Sequence, residues 1–252
     1  MTAATAAESR VLPRGWPDLF RQLLIWFGFA LAYQVARGAA DRSPAKAFEN
    51  ARSVIDFESR ATGLWELSLQ SWTESSHALA VTMQWTYWLS QFFVVAVALF
   101  WVYFRHHEAF TRFRNVLILT NVFGLLGYVL LPTAPPRMFP EFGFVDTLAG
   151  LGSPNHGSSL VQLASNPYAA MPSLHSADAL IVGIVLAVLV RSPILKAVWL
   201  IWPAWVWFAV MATGNHFWLD IAAGVLVAAI AAPIVYRREL RRFIARRRPA
   251  LS

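Results

Sequence analysis

No cysteine occurs among the 252 residues, which excludes disulfides and thiolate metal sites and leaves the redox compartment unmarked. Charge is scarce as well: 14% of the residues are charged, against roughly 25% in a typical soluble domain. Lysine is almost missing, with only Lys46 and Lys196; this Ala- and Arg-rich usage points to a GC-rich bacterium. The chain has no Gly-rich phosphate loop and no G-x-S-x-G elbow, so nucleotide-triphosphate and serine-hydrolase chemistry of those kinds is excluded. Internal repeats and low-complexity segments are also lacking. The opening MTAATAAESRVLPRGWPDLFRQ is too long and polar for a signal n-region, and no small-residue cleavage site follows its apolar stretch. That stretch is expected to remain as an uncleaved span.

What fills the chain instead is apolar. Hydrophobic residues make up 57%, with twelve Trp and eighteen Phe, a composition suited to lipid-facing surface and interfacial belts. Six apolar runs stand out, roughly Phe20–Ala36, Ala78–Phe104, Val116–Leu131, Leu174–Val190, Ala197–Ala212 and Phe217–Tyr236. The expected fold class is all-α integral membrane, with six transmembrane helices and both termini on one side. The expected organisation is a segment 1–19, a six-span catalytic domain 20–236 and a basic tail 237–252.

The net charge of +7 suggests nucleic acid until its location is read. Seven basic residues lie in the last sixteen positions: Arg237, Arg238, Arg241, Arg242, Arg246, Arg247 and Arg248. A cluster straight after an apolar span marks the cytoplasmic side and suits anionic lipid. No nucleic-acid partner is expected, because no reading fold accompanies it. Arg10, Arg14 and Arg21, then Arg105, Arg112 and Arg114, then Arg191 and Lys196 fall on the same side as that tail. The positive-inside rule therefore places both termini in the cytoplasm of a multi-pass protein, expected in a bacterial inner membrane. The connections 37–77 and 132–173 lie opposite. In the first, Ser43-Pro44 reads as a helix start, Phe48, Ala51 and Ile55 recur at helical spacing, and Trp65, Leu69 and Trp72 share one face. Both pieces are expected to be interfacial helices that act as a lid or scaffold.

Topology alone then brings three polar groups to one membrane face. Arg137 follows span three, His175 begins span four, and His216 with Asp220 begins span six. His216 and Asp220, four apart on a helix, share a face. The carboxylate there fixes the ring tautomer and leaves Nε2 as a nucleophile, or else the pair merely ties helices together. His175 follows Pro172-Ser173 at a helix start, where unpaired N–H groups and the Ser173 hydroxyl suit an anion. It reads as a general acid or as a capping histidine. Asp178 orients His175 or pairs with another helix. Arg137 offers a planar fork for phosphate oxygens, or is a snorkelling interfacial arginine. Asn166, Tyr168, His156 and Asn215 lie on the same side as auxiliary candidates. No metal site and no cofactor are expected, since the arginine and the helix start suit an anion better than a cation.

Together PTAPPR (132–137), NPYAAMPSLH (166–175) and GNHFWLD (214–220) resemble the type 2 phosphatidic acid phosphatase superfamily, most of all the branch containing fungal inositol phosphorylceramide synthase. The resemblance implies a metal-independent mechanism. In it, His216 becomes a phosphohistidine oriented by Asp220, His175 protonates the leaving group, and Arg137 with Ser173 binds the phosphate. Two cations of the fuller pattern are absent. The K-x6-R-P lysine position holds Leu130, and Met138 stands for its proline; the S-R-x5-H pair is Ala209 and Val210. The expected function is a lipid phosphatase, with a lipid phosphotransferase to a polyol acceptor such as inositol as the alternative. A non-catalytic transporter or scaffold is disfavoured because His175, His216 and Asp220 are all retained.

Overall fold

The apolar runs become helices in the computed structural model, which describes residues 12–39, 43–147, 166–239 and 241. In chain order these are α1 (Gly15–Ala39), α2 (Pro44–Thr62), α3 (Glu66–Glu74), α4 (His77–Leu89), α5 (Val95–Arg105), α6 (His107–Leu130), α7 (Leu174–Leu189), α8 (Pro193–Ala212) and α9 (Trp218–Val235). A single π turn, Ser90–Val94, joins α4 to α5, so the two form one continuous rod. Ser192 and Ser76 cap α8 and α4 by accepting the N–H groups of Leu195 and Leu79. Pro193 stands at the first helical position, where its missing N–H is harmless.

Five of these are long and apolar enough to cross a membrane: α1, the α4–α5 rod, α6, α8 and α9. Among the described residues the fold is all-α and membrane-embedded in character, as the hydropathy pattern predicts. α1, the α4–α5 rod, α6 and α8 start further out than the apolar runs, with α1 beginning at Gly15 inside the expected N-terminal segment, whereas α7 and α9 end within theirs. The remaining apolar helix, α7, has sixteen residues, short of the roughly 20 that span a hydrocarbon core. Its surroundings explain this. It packs against α5, α6, α8 and α9, and most of its residues are buried, with Ile184 and Val188 left exposed. By contrast, α1 has one side exposed, with Leu24 74% and Leu31 69% accessible, and the other half-buried against the bundle.

The first connection divides its labour. α2 buries Ala47, Ala51, Val54 and Ile55 against the segment after α6 and against Phe217. α3 does the opposite: Trp65 and Trp72 are exposed while Glu66, Gln70 and Thr73 are buried. An aromatic face turned outward and a polar face turned inward suit a helix at a membrane surface. That inward polar face meets the start of α9.

The contact between α7 and α9 depends on Gly224. A Cβ there would lie 2.2 Å from the Ser173 carbonyl oxygen and 3.1 Å from its carbon, both backbone atoms that cannot rotate away. Gly224→Ala is expected to destabilise the protein by about 1–3 kcal/mol through overpacking. It should also lower turnover, because α7 carries His175 and α9 carries Asp220, the partner of His216 in the turn just before it. Thermal melting in detergent checks the first effect, and a wild-type melting temperature would refute the close approach.

Candidate active site

Main-chain hydrogen bonds lock the three motifs together pairwise. Thr133 and Ala169 form a short parallel bridge, with Thr133 N–H donating to Tyr168 O at 2.8 Å and Ala170 N–H to Thr133 O at 3.2 Å. Arg137 N–H donates to Gly214 O at 2.9 Å, and Ser173 N–H to Asp220 O at 2.9 Å. Each motif thus holds the other two without help from side chains. α2 braces the first motif: Ala134 N–H reaches Ala47 O, and Asn50 Nδ2 donates to Pro132 O. The turn before α9 is fixed in turn by the Val210 carbonyl, which accepts from both Asn215 and His216 N–H at 3.1 Å. Gly214 takes φ +67 in that turn, a left-handed conformation that suits glycine.

Around this frame lies a polar cavity of about 50 Å³, with His175, His216, Arg137, Asn166 and Asn215 in its wall. His216 Nδ1 lies 3.3 Å from Asp220 Oδ2, and that oxygen also accepts Phe217 N–H at 2.9 Å. The carboxylate therefore holds the ring through Nδ1 and leaves Nε2 as the remaining nitrogen. His175 faces His216 with ring centroids 5.7 Å apart, and its other side stacks on Tyr87 at 4.3 Å. Arg137 is held by Asn215 Oδ1 and lies 3.9 Å from Asp146. Asn215 is itself pinned by donating to the Thr213 hydroxyl at 2.8 Å. Asn166 accepts Tyr168 N–H, and its Nδ2 is buried with no partner among the described residues, leaving a donor for a bound oxygen.

Other candidates fall elsewhere. Ser173 is the N-cap of α7: its hydroxyl accepts from Ser176 Oγ at 2.9 Å and from Ser176 N–H, and it does not line the cavity. Asp178 accepts from Asn121 Nδ2 at 3.1 Å, pairing α7 with α6 rather than with His175. Tyr168 packs edge-on against Phe48. His156 lies outside the described residues. Among the described residues no three His, Asp or Glu side chains converge as metal ligands.

Sequence reasoning missed part of the wall. Tyr33, Arg37, Tyr87, Gln91 and Tyr128 also line the cavity. The available signal was polar groups within otherwise apolar spans, which are costly unless they face a site. Gln91 sits in the π turn, a helix irregularity common at functional sites.

Also missed were Glu58 and Glu66, fully buried beneath the start of α9. Leu219 N–H donates to Glu58 Oε1 at 2.8 Å, and Trp218 N–H to Glu66 Oε1 at 3.1 Å. With Asp220 they occupy the first donors of the helix that follows His216. Burial first, and the adjacent Glu66 carboxyl second, raise Glu58 from the usual 4.5 to about 9. A carboxyl whose folded value is raised contributes stability that is full below 4.5 and is lost as pH rises through about 9. Melting temperature is therefore expected to fall across that window. Glu58→Gln, which keeps an acceptor but cannot ionise, should flatten the slope. Equal slopes in the two proteins would remove Glu58 from this account.

A histidine–carboxylate pair, a second histidine and an arginine around one small cavity in a membrane bundle define an enzyme of the lipid phosphatase and phosphotransferase class. The PAP2 superfamily model matches residues 52–234, and the chain belongs to that superfamily. It is similar to the phosphoinositol dihydroceramide synthase of Bacteroides thetaiotaomicron, 27% identical over 143 residues that cover 51% of this chain and 47% of the relative. The chain thus spans about half the length of that curated relative. In fold it resembles the crystal structure of LpxE from Aquifex aeolicus, with a TM-score of 0.50 at 17% identity, covering 67% of this chain and 92% of that one.

Proposed function

We propose that the protein is a membrane lipid phosphatase that works through a phosphohistidine on His216, without a metal. The observation that carries this reading is the His216–Asp220 pair facing His175 across a cavity that also holds Arg137. His216 Nε2 attacks phosphorus while the bond to the lipid oxygen breaks, and that oxygen takes a proton from His175. Asp220 stabilises the ring as it becomes cationic. Water then gives a proton to His175 and attacks the phosphoryl group, the P–N bond breaks, and phosphate leaves.

A lipid substrate is supported by an apolar groove of about 270 Å³ between α1 and α5, lined by Trp26, Phe27, Ala30, Phe92, Ala96 and Leu99. On α1 the stripe Leu19, Leu23, Trp26, Ala30, Tyr33 and Arg37 recurs at three- and four-residue steps, so the groove and the cavity share one helix face. A chain in the groove leads to a head group in the cavity.

The second reading is a phosphotransferase, in which an alcohol such as inositol replaces water in resolving the phosphohistidine. The similarity to a phosphoinositol dihydroceramide synthase favours it. One experiment separates the two: purified protein with phospholipids and isoprenoid phosphates, with and without polyol acceptors. Free phosphate supports hydrolysis, a new phosphodiester supports transfer, and neither product from any lipid would overturn both.

In the proposed orientation both termini lie in the cytoplasm and the cavity outside, with the basic tail against anionic lipid. The cysteine-free chain makes the test simple, because Ser153→Cys introduces the only thiol. It should react with an impermeant reagent on intact cells. Labelling only after permeabilisation would reverse the orientation.

A further inference from the structure

A phosphate dianion in a water-poor cavity needs more than one positive partner, and arginine matches its oxygens best. The matched motifs supply Arg137 alone. Position 130 cannot help, since Leu130 is 73% exposed on the outside of the bundle. Nor can position 210: Val210 is buried, packed beside Val206 and Met211, and its carbonyl is occupied in holding the turn at His216.

A cation does reach the cavity from another direction. Arg37, in the last turn of α1, lines it together with His175, His216 and Arg137. It precedes the matched segment 52–234, so nothing in the family pattern points to it. Its guanidinium stands 5.9 Å from the Tyr128 ring centroid, and its Nε is buried with no hydrogen-bond partner among the described residues. No Asp or Glu forms an ion pair with it among those residues. A buried, unengaged donor on a fixed cation is costly to keep and is relieved by an incoming oxygen. The end of α1 also favours a positive charge through the helix dipole.

We propose that Arg37 is the second phosphate-binding cation of this site, taking over the charge that Leu130 and Val210 do not provide. The ligand is the phosphate of a lipid monoester, gripped between Arg37 on α1 and Arg137 in the segment after α6, both of which line the cavity. α1 is then part of the catalytic unit rather than an accessory span. This inference rests on the reading of the cavity as a phosphate site, and its test separates the two.

Full-length wild type, Arg37→Ala, Arg37→Lys and Arg21→Ala are compared in detergent, using inorganic phosphate as an equilibrium probe in melting experiments and as an inhibitor of turnover. Phosphate should raise the melting temperature of wild type and Arg21→Ala but not of Arg37→Ala. In Arg37→Ala, kcat/KM should fall on the order of 10²-fold, as when one preorganised charge-stabilising donor is lost. Its inhibition constant for phosphate should rise in parallel, and Arg37→Lys should recover part of both. If Arg37→Ala does not fold, Arg37→Lys still reports, since a point charge without the fork should weaken phosphate binding. Wild-type kcat/KM and phosphate affinity in a folded Arg37 variant would overturn the inference while leaving the phosphatase reading intact. Phosphate without effect on wild type itself would overturn both.

Discussion

Replacing His216 by alanine is expected to abolish turnover, by on the order of 10⁴-fold or more, and to remove any covalent phosphoenzyme. The size follows from position. No other imidazole in the cavity has a carboxylate on its far nitrogen: Asp220 lies 3.3 Å from His216 Nδ1, whereas His175 stacks on Tyr87. Arginines and amides around the cavity can bind phosphate but cannot accept it covalently at neutral pH. Rapid quench with radiolabelled lipid phosphate should trap an acid-labile, base-stable adduct on wild type and none on His216→Ala. Asp220→Asn should fall between the two, because the ring remains but its orientation and cationic form lose support. Full activity in purified His216→Ala would end the phosphohistidine account.

The second large effect belongs to His175. Its alanine variant should lose roughly 10²–10⁴-fold with an alkyl phosphate, the range for loss of a positioned general acid. In single-turnover formation of the phosphoenzyme from an aryl phosphate, whose phenolate leaves unaided, the loss should be far smaller. That contrast distinguishes proton donation from simple packing, because a collapsed wall would slow both substrates alike. Burst kinetics on an aryl substrate sharpen the test, since phosphoenzyme formation should survive while its resolution slows. Equal losses in the rate of phosphoenzyme formation from alkyl and aryl substrates would assign His175 a positioning role instead.

Much of this was legible in the chain because two strong signals agree. Apolar runs set the helices, and the spacing of His216 to Asp220 announces their pairing, although not on a shared helical face: His216 precedes the Phe217 N-cap, and Asp220 reaches it by turning back to cap the start of α9. The loop prolines and the motif order placed Arg137 and His175 at the same end. What stayed hidden depends on partners far apart in sequence. Glu58 reads as one more polar position on an amphipathic helix, and only the fold puts it under Leu219, 161 residues away. Arg37 reads as the polar end of a span, and only the packing of α1 turns it into the cavity. Ser173 carries a role the motif does not announce: its oxygen caps α7 by accepting from Ser176.

The main-chain links among residues 133, 137, 168, 173, 214 and 220 have a consequence for how such proteins diversify. Peptide groups are common to nearly all amino acids, so a scaffold joined through them is indifferent to which side chains it displays. Cations can be deleted from one wall and recruited from another helix without dismantling the nucleophile's setting. Substrate range can thus drift across relatives while the reacting pair stays in register, and a chain stripped of two expected charges can remain an intact catalyst.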